Sequence, residues 1–324
     1  MERNQDLEAS IFSLNQNPSR FNDLCLQIFE YQLQSNSFYN RFCKLKGNTS
    51  IKSIEEIPFL PISFFKSHKI LCDEFEAELV FKSSGLVRSH HYIAFSDVYI
   101  KSFLSSIAKF IPNITEYVIV GLLPNYLSQG NSSLVYMVNN LIDQSIFSES
   151  CFHLSNFNEL KFKIEDLKKQ DKKVLLFGVA YSLLDFAEFE PDLKDVVIIE
   201  TGGMKGRRKE WIKADLHQFL SEKTNFPQII SEYGMTELLS QAYSLDSNWF
   251  EGPNWMKVLI RELNDPIEYL SDNKIGGINI IDLTNLYSCP FIATDDLGMK
   301  NGKQFSLAGR VDNSDIRGCN LLLN

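Results

Sequence analysis

The run Ser231-Glu232-Tyr233-Gly234-Met235-Thr236-Glu237 puts an aromatic ring, a flexible turn, a hydroxyl and a carboxylate within a few positions. It follows an apolar stretch that reads as a strand, so the polar groups fall at a strand end. Gly234 permits a tight turn there. Thr236 and Glu237 then stand side by side, which suits a nucleoside triphosphate held with a hard metal ion. Magnesium takes oxygen ligands and keeps several waters, so one carboxylate plus the phosphates is sufficient. The alternative for Glu237 is an acid in the first turn of a helix, where the helix dipole favours it.

Five further segments bear on the same chemistry. Lys82-Ser83-Ser84-Gly85 offers hydroxyls and a glycine amide that suit phosphate oxygens, or it is an ordinary turn. The pair Gly202-Gly203 allows backbone to approach a flat ligand closely, or it is a plain loop. Thr294-Asp295-Asp296-Leu297-Gly298 places paired acids before a glycine. A carboxylate there accepts from both hydroxyls of a ribose, unless the segment is a surface turn. Gly309-Arg310-Val311-Asp312 and Ile316-Arg317-Gly318-Cys319 complete the set. His90 and His91 read as surface or supporting residues, and Lys66 as an exposed lysine.

These segments need a frame. Residues 6–46 carry apolar side chains at helical spacing. Pro58 and Pro61 force an extended segment. Short apolar runs then alternate with helical patterns, with Ser96, Ser132 or Ser133, and Ser155 as candidate caps. Such alternation predicts a largely parallel sheet covered on both faces, with ligands at the carboxyl ends of its strands. From about residue 248 short strands and turns take over. The predicted organisation is a single catalytic unit: a helical cap and extended linker over 1–75, an α/β core over 76–247, and a β-rich lobe over 248–324.

Composition sets limits. Of 324 residues 44% are hydrophobic and 23% charged, as in a globular protein, and the net charge of −9 argues against a nucleic-acid partner. No uninterrupted apolar run approaches the roughly 18 residues of a membrane span. The six cysteines form no C-x-x-C pair, which argues against a zinc site. Unpaired thiols and the lack of an export signal at the N-terminus point to the cytoplasm.

Taken in order, the serine-rich loop, Gly202-Gly203, Tyr233 to Glu237, Asp296, and Gly309-Arg310 with Asp312 resemble the adenylate-forming superfamily. The chain is most similar to the LuxE-type acyl-protein synthetases. That similarity is carried by Pro58-Phe59-Leu60-Pro61 with Phe65-Lys66, by Gly130 to Met137, by Tyr233 to Glu237 with Ser240-Gln241, and by Arg317-Gly318-Cys319. The resemblance implies ATP-dependent activation of a fatty or aryl carboxylic acid to an acyl-adenylate, then transfer to a thiol. It implies ATP and Mg2+ as cofactors, with an acyl carrier protein, coenzyme A or a reductase as partner. Residue by residue, Ser83, Ser84 and Gly85 meet phosphates, Gly202, Gly203, Tyr233 and Gly234 border the adenine, and Thr236 contacts the α-phosphate. Glu237 holds the metal, Asp296 and Arg310 the ribose, and Cys319 receives the acyl group, with Arg317 favouring its thiolate. Two departures stand out. Gly85 is followed by Leu86-Val87-Arg88 where the superfamily has two threonines and a glycine, and the mobile C-terminal domain is absent or vestigial. The altered loop leaves open an acyltransferase that uses a ready-made thioester, or a non-catalytic partner that binds acyl chains or nucleotides.

Overall fold

Helices form at Gln5–Ser13, Phe21–Ser35 and Ser37–Lys46. Asn36 starts the third by accepting the Tyr39 amide at 3.0 Å, and Gly47 ends it in the left-handed region at φ 74°. The computed structural model describes residues 2–83, 88–123, 130–154, 156–202, 213–225, 229–245, 248–265 and 267–310. No described helix is long and apolar enough to cross a membrane.

The strands are β1 (Leu60–Pro61), β2 (Leu79–Lys82), β3 (His90–Ile93), β4 (Tyr117–Leu122), β5 (Cys151–Phe152), β6 (Lys173–Val179), β7 (Val196–Thr201), β8 (Ile229–Tyr233), β9 (Ala242–Leu245), β10 (Phe250–Glu251), β11 (Met256–Arg261), β12 (Gly276–Asp282), β13 (Phe291–Asn301) and β14 (Gln304–Arg310). Twelve form one mixed sheet in the order β11-β12-β13-β14-β10-β9-β8-β7-β6-β4-β5, with β1 beside β13. From β5 to β8 neighbouring strands are parallel; beyond β8 the pairing turns antiparallel. β2 and β3 make a separate hairpin.

Helices cover both faces of the parallel half, and two glycines show how closely. Gly121 pairs with Phe177, and Leu122 with Gly178, so the two glycines face opposite ways. A Cβ at Gly121 would lie 3.1 Å from Val138 of the helix Ser133–Gln144, and one at Gly178 would lie 2.8 Å from Leu183 of the helix Ala180–Ala187. Caps differ from expectation in two places. Ser96 does not cap its helix; its amide and hydroxyl both donate to Glu78. Ser132 caps the helix Ser133–Gln144, and Asn156 caps Phe157–Lys169, Ser155 lying outside the described residues.

The N-terminal helices pack on the antiparallel half. Phe29 meets Phe291 with ring centroids 6.1 Å apart. The Gln32 and Asn36 side-chain amides donate to the carbonyls of Leu286 and Ser288 at 2.6 and 2.8 Å. Pro61 is tolerated because β1 is short and lies off the main strand order.

The eight residues between β8 and β9 are held from two sides. From β12, buried Asp282 accepts the amides of Leu239 and Ser240, each at 2.9 Å, and the hydroxyls of Ser240 at 2.7 Å and Thr284 at 2.5 Å. Burial pushes its carboxyl above the usual range, and these donors oppose the shift. Trp255 donates its indole N–H to the Ser240 hydroxyl at 2.9 Å. From β3, fully buried His91 donates from Nδ1 to the Thr236 carbonyl at 2.8 Å. Burial lowers its imidazole from 6.5 to about 4, so the neutral ring makes this bond near neutrality.

Two outcomes follow from this double anchorage. Asp282→Ala strands three buried amides and two hydroxyls, and urea denaturation should show a loss of about 3–5 kcal/mol, with Asp282→Asn losing less. His91 gives stability a pH signature. As pH falls from 6.5 to about 4 the unfolded chain takes up the proton first, so up to about 3 kcal/mol is lost across that window. Denaturation of His91→Gln over the same range should show a correspondingly shallower slope.

Candidate active site

Gly202 and Tyr233 reach one rim because Thr201 and Glu232 are register partners at the carboxyl ends of β7 and β8. Among the described residues a Cβ at Gly202, at the end of β7, would meet nothing within 4 Å. Tyr233 is buried, its ring set edge-on to Phe305 at 5.2 Å and tilted on Phe250 at 5.8 Å. Its hydroxyl donates to Asp296 Oδ2 at 2.8 Å. Asp296 and Arg310 stand opposite each other on β13 and β14, and Arg310 Nε lies 3.0 Å from Asp296 Oδ1. Each carboxylate oxygen therefore has one partner and retains capacity for another donor.

Thr236 and Glu237 form a turn, not the start of a helix. That removes the helix-dipole reading of Glu237. Thr236 is half-buried and Glu237 only 4% exposed. Asn285 holds the Glu237 carbonyl at 2.9 Å, and the Ser89 hydroxyl hydrogen-bonds its carboxyl. Burial raises the Glu237 carboxyl; Ser89 opposes this, as do the charges of Arg310 and Lys66. Arg310 and Lys66 are both exposed, so their charges are screened. Among the described residues the cations near this desolvated carboxyl are screened, and a compact divalent ion would favour its anionic form. Among the described residues no group of three or more His, Cys, Asp or Glu side chains converges as a metal cage. Glu237 would then share such an ion with oxygens of a ligand.

Tyr233, Gly234, Glu237, Asp296 and Arg310 thus gather in one region, and Thr236 lies within the same turn. Ser83 joins it indirectly, by accepting the Ser89 amide at 2.8 Å while Ser89 contacts Glu237. Ser84, Gly85, Gly203 and Cys319 lie outside the described residues. His91 is not a surface residue but is 0% exposed. The alternation of β3 buries both His91 and Ile93, a pattern legible in the sequence once β3 is placed. Ser89, Asp282 and Asn285 were not anticipated as site residues. Asp282 does end an apolar run before Thr284, the spacing of a side-chain-capped turn, and it accepts the Thr284 amide at 3.2 Å. Nothing in the sequence near Ser89 or Asn285 marks them.

Comparison with known proteins follows the same lines. The chain is 23% identical over 301 residues to the long-chain-fatty-acid–luciferin-component ligase of Aliivibrio fischeri, spanning 85% of this chain and 78% of that one. Its fold resembles ATP-bound MatB from Rhodopseudomonas palustris, with a TM-score of 0.53 and 16% identity over 71% of this chain and 47% of that one. It also resembles a 2-hydroxyisobutyryl-CoA ligase solved in an open conformation with 2-HIB-AMP and CoA. There the TM-score is 0.62 and identity 11%, over 90% of this chain and 70% of that one. The chain spans about half the length of the MatB structure. Identities this low establish the fold alone. The family described as acyl-protein synthetase, LuxE, matches residues 6–324, and the chain belongs to it.

Proposed function

We propose that this protein joins a carboxylic acid to the adenylyl group of ATP and passes the acyl group to a thiol. The observation that carries the reading is the meeting of Tyr233, Glu237, Asp296 and Arg310, drawn from β8, the β8–β9 loop, β13 and β14. The difficulty of the reaction is charge. A carboxylate must approach a phosphate, and two anions repel unless positive groups are already in place.

Each residue has a part in meeting that difficulty. Asp296, oriented by Tyr233 and Arg310, accepts from the ribose hydroxyls and fixes the nucleotide. Thr236, whose carbonyl is tied to His91, offers its hydroxyl to an α-phosphate oxygen. Glu237 holds Mg2+, which when bound supplies a Lewis acid that draws charge from the phosphate oxygens. The carboxylate oxygen bonds to the α-phosphorus, and the bond from that phosphorus to the pyrophosphate oxygen breaks. A thiolate then attacks the acyl carbon, and the carbon–oxygen bond to AMP breaks. We assign the thiol to Cys319, with coenzyme A or a carrier-protein thiol as onward acceptor, and place the protein in the cytoplasm.

Acid-dependent exchange of pyrophosphate into ATP tests the first half. Glu237→Gln should cut exchange about 10²- to 10³-fold while leaving the thermal midpoint within a few degrees. Asp296→Asn should raise the KM for ATP about tenfold or more, the loss expected for hydrogen bonds to a charged group. Cys319→Ser tests the second half: exchange should persist, while covalent labelling of the chain by radiolabelled acid should vanish. A wild-type chain that shows no exchange with any acid, from short to long, ends the proposal.

A further inference from the structure

β8 presents two faces, and the proposed nucleotide site uses only one. Tyr233 turns toward Asp296, so its neighbour Glu232 must turn the other way. Glu232 stands in register with Thr201 on β7 and Tyr243 on β9, and Gln241 lies two residues before Tyr243 on the same face. This is also the face of Phe177 and Gly121, against which the helix Ser133–Gln144 packs. The aromatic rings there are apolar neighbours: Tyr99 stacks on Tyr136 at 5.9 Å, and Phe81 meets Tyr136 at 5.5 Å.

A polar cluster sits in that setting. Glu232, Gln241 and Tyr243 are 7%, 4% and 1% exposed. Thr201 donates its hydroxyl to Glu232 Oε2 at 2.5 Å. Among the described residues Gln241 Oε1 and the Tyr243 hydroxyl have no hydrogen-bond partner. A buried polar atom left unpaired costs about 1–3 kcal/mol, so two such atoms beside a buried carboxylate mark a place where a polar ligand group is received. The cluster also reaches the reaction centre. A Cβ at Gly234 would fall 2.3 Å from Glu232 Oε1 and 3.5 Å from Gln241 Cγ, so a side chain there would displace the carboxylate, two residues before Thr236.

We propose that Glu232, Gln241 and Tyr243 form a binding site for a hydrogen-bond-donating substituent, hydroxyl or amino, carried by the acid that the chain activates. The proposal rests on the acid-activating reading above. Its chemistry follows from the atoms present. A carboxylate and an amide oxygen accept, and a phenol donates or accepts, so the complementary group carries N–H or O–H. The carboxylate's charge disfavours a second carboxylate on the substrate.

The test is pyrophosphate exchange by the full chain with straight-chain acids, the same acids bearing one hydroxyl at successive positions, and the same acids bearing one amino group. One hydroxylated or aminated series should exceed its unsubstituted parent by about tenfold or more in kcat/KM, as for sites that pair a substrate donor. The comparison of the two series identifies the donor. Tyr243→Phe and Glu232→Gln, which keep side-chain volume, should erase the preference by lowering exchange with the substituted acid and sparing the parent acid. Equal use of substituted and plain acids by the wild type overturns this inference and leaves acid activation standing. A preference that survives both substitutions overturns the assignment to these residues. Absence of exchange with every acid overturns acid activation and this inference with it. Should both variants unfold, Gln241→Leu gives the same readout.

Discussion

The structure depends on one buried carboxylate. Asp282 is fully enclosed, and it receives three backbone amides and two hydroxyls beside the β8–β9 loop. A carboxylate in such a place is tolerable only with its oxygens saturated by donors, so the donors must come to it. Those donors are the backbone of Leu239, Ser240 and Thr284 and the side chains of Ser240 and Thr284. The loop is thereby fixed at its distal end, while His91 and Asn285 hold it by the carbonyls of Thr236 and Glu237. A short loop joining antiparallel strands thus presents Thr236 and Glu237 in one geometry, as the preorganised site proposed above would require.

Charge at the site is arranged around a deficit. Glu237 and Glu232 are buried acids, and Asp296 is largely buried, whereas Arg310 and Lys66 stand in solvent. The protein carries a net charge of −9, so its overall field does not draw an anionic nucleotide. Attraction must be local, and it falls to the exposed cations at the rim. The same deficit fits the rise that burial imposes on the Glu237 carboxyl, since among the described residues its nearby cations, Arg310 and Lys66, are exposed.

Much of this was legible in the sequence, and what was legible shares a cause. Tyr233 and Arg310 end strands, Glu237 stands in a turn, and Asp296 lies within β13 beside the irregularity at Leu297 and Gly298, so a nearby glycine leaves a local mark at each. The strand runs were visible because buried parallel strands are continuous apolar stretches. His91, Ser89 and Asn285 were obscure because their importance comes from contacts across the fold. His91 meets Thr236 over 145 positions, and Asn285 meets Glu237 over 48. The Ser132 cap was placed correctly, but the Ser96 cap was misplaced for a similar reason. Ser96 has the right residue type, but Glu78, 18 positions away, takes both its amide and its hydroxyl.

The alternation of β8 divides the labour of the site. Tyr233 and Glu232 are adjacent, yet one meets Asp296 and the other Thr201. The sheet itself therefore stands between the place assigned to the nucleotide and the place assigned to the acid's substituent. Both converge where the strand ends and the pleat gives way to the loop, at Gly234 and Thr236. A slip of one residue in the pairing of β8 would exchange the two faces and carry Glu232 toward Asp296, placing two buried carboxylates together. That arrangement is prohibitive, so the charges of the site help to enforce the register that builds it.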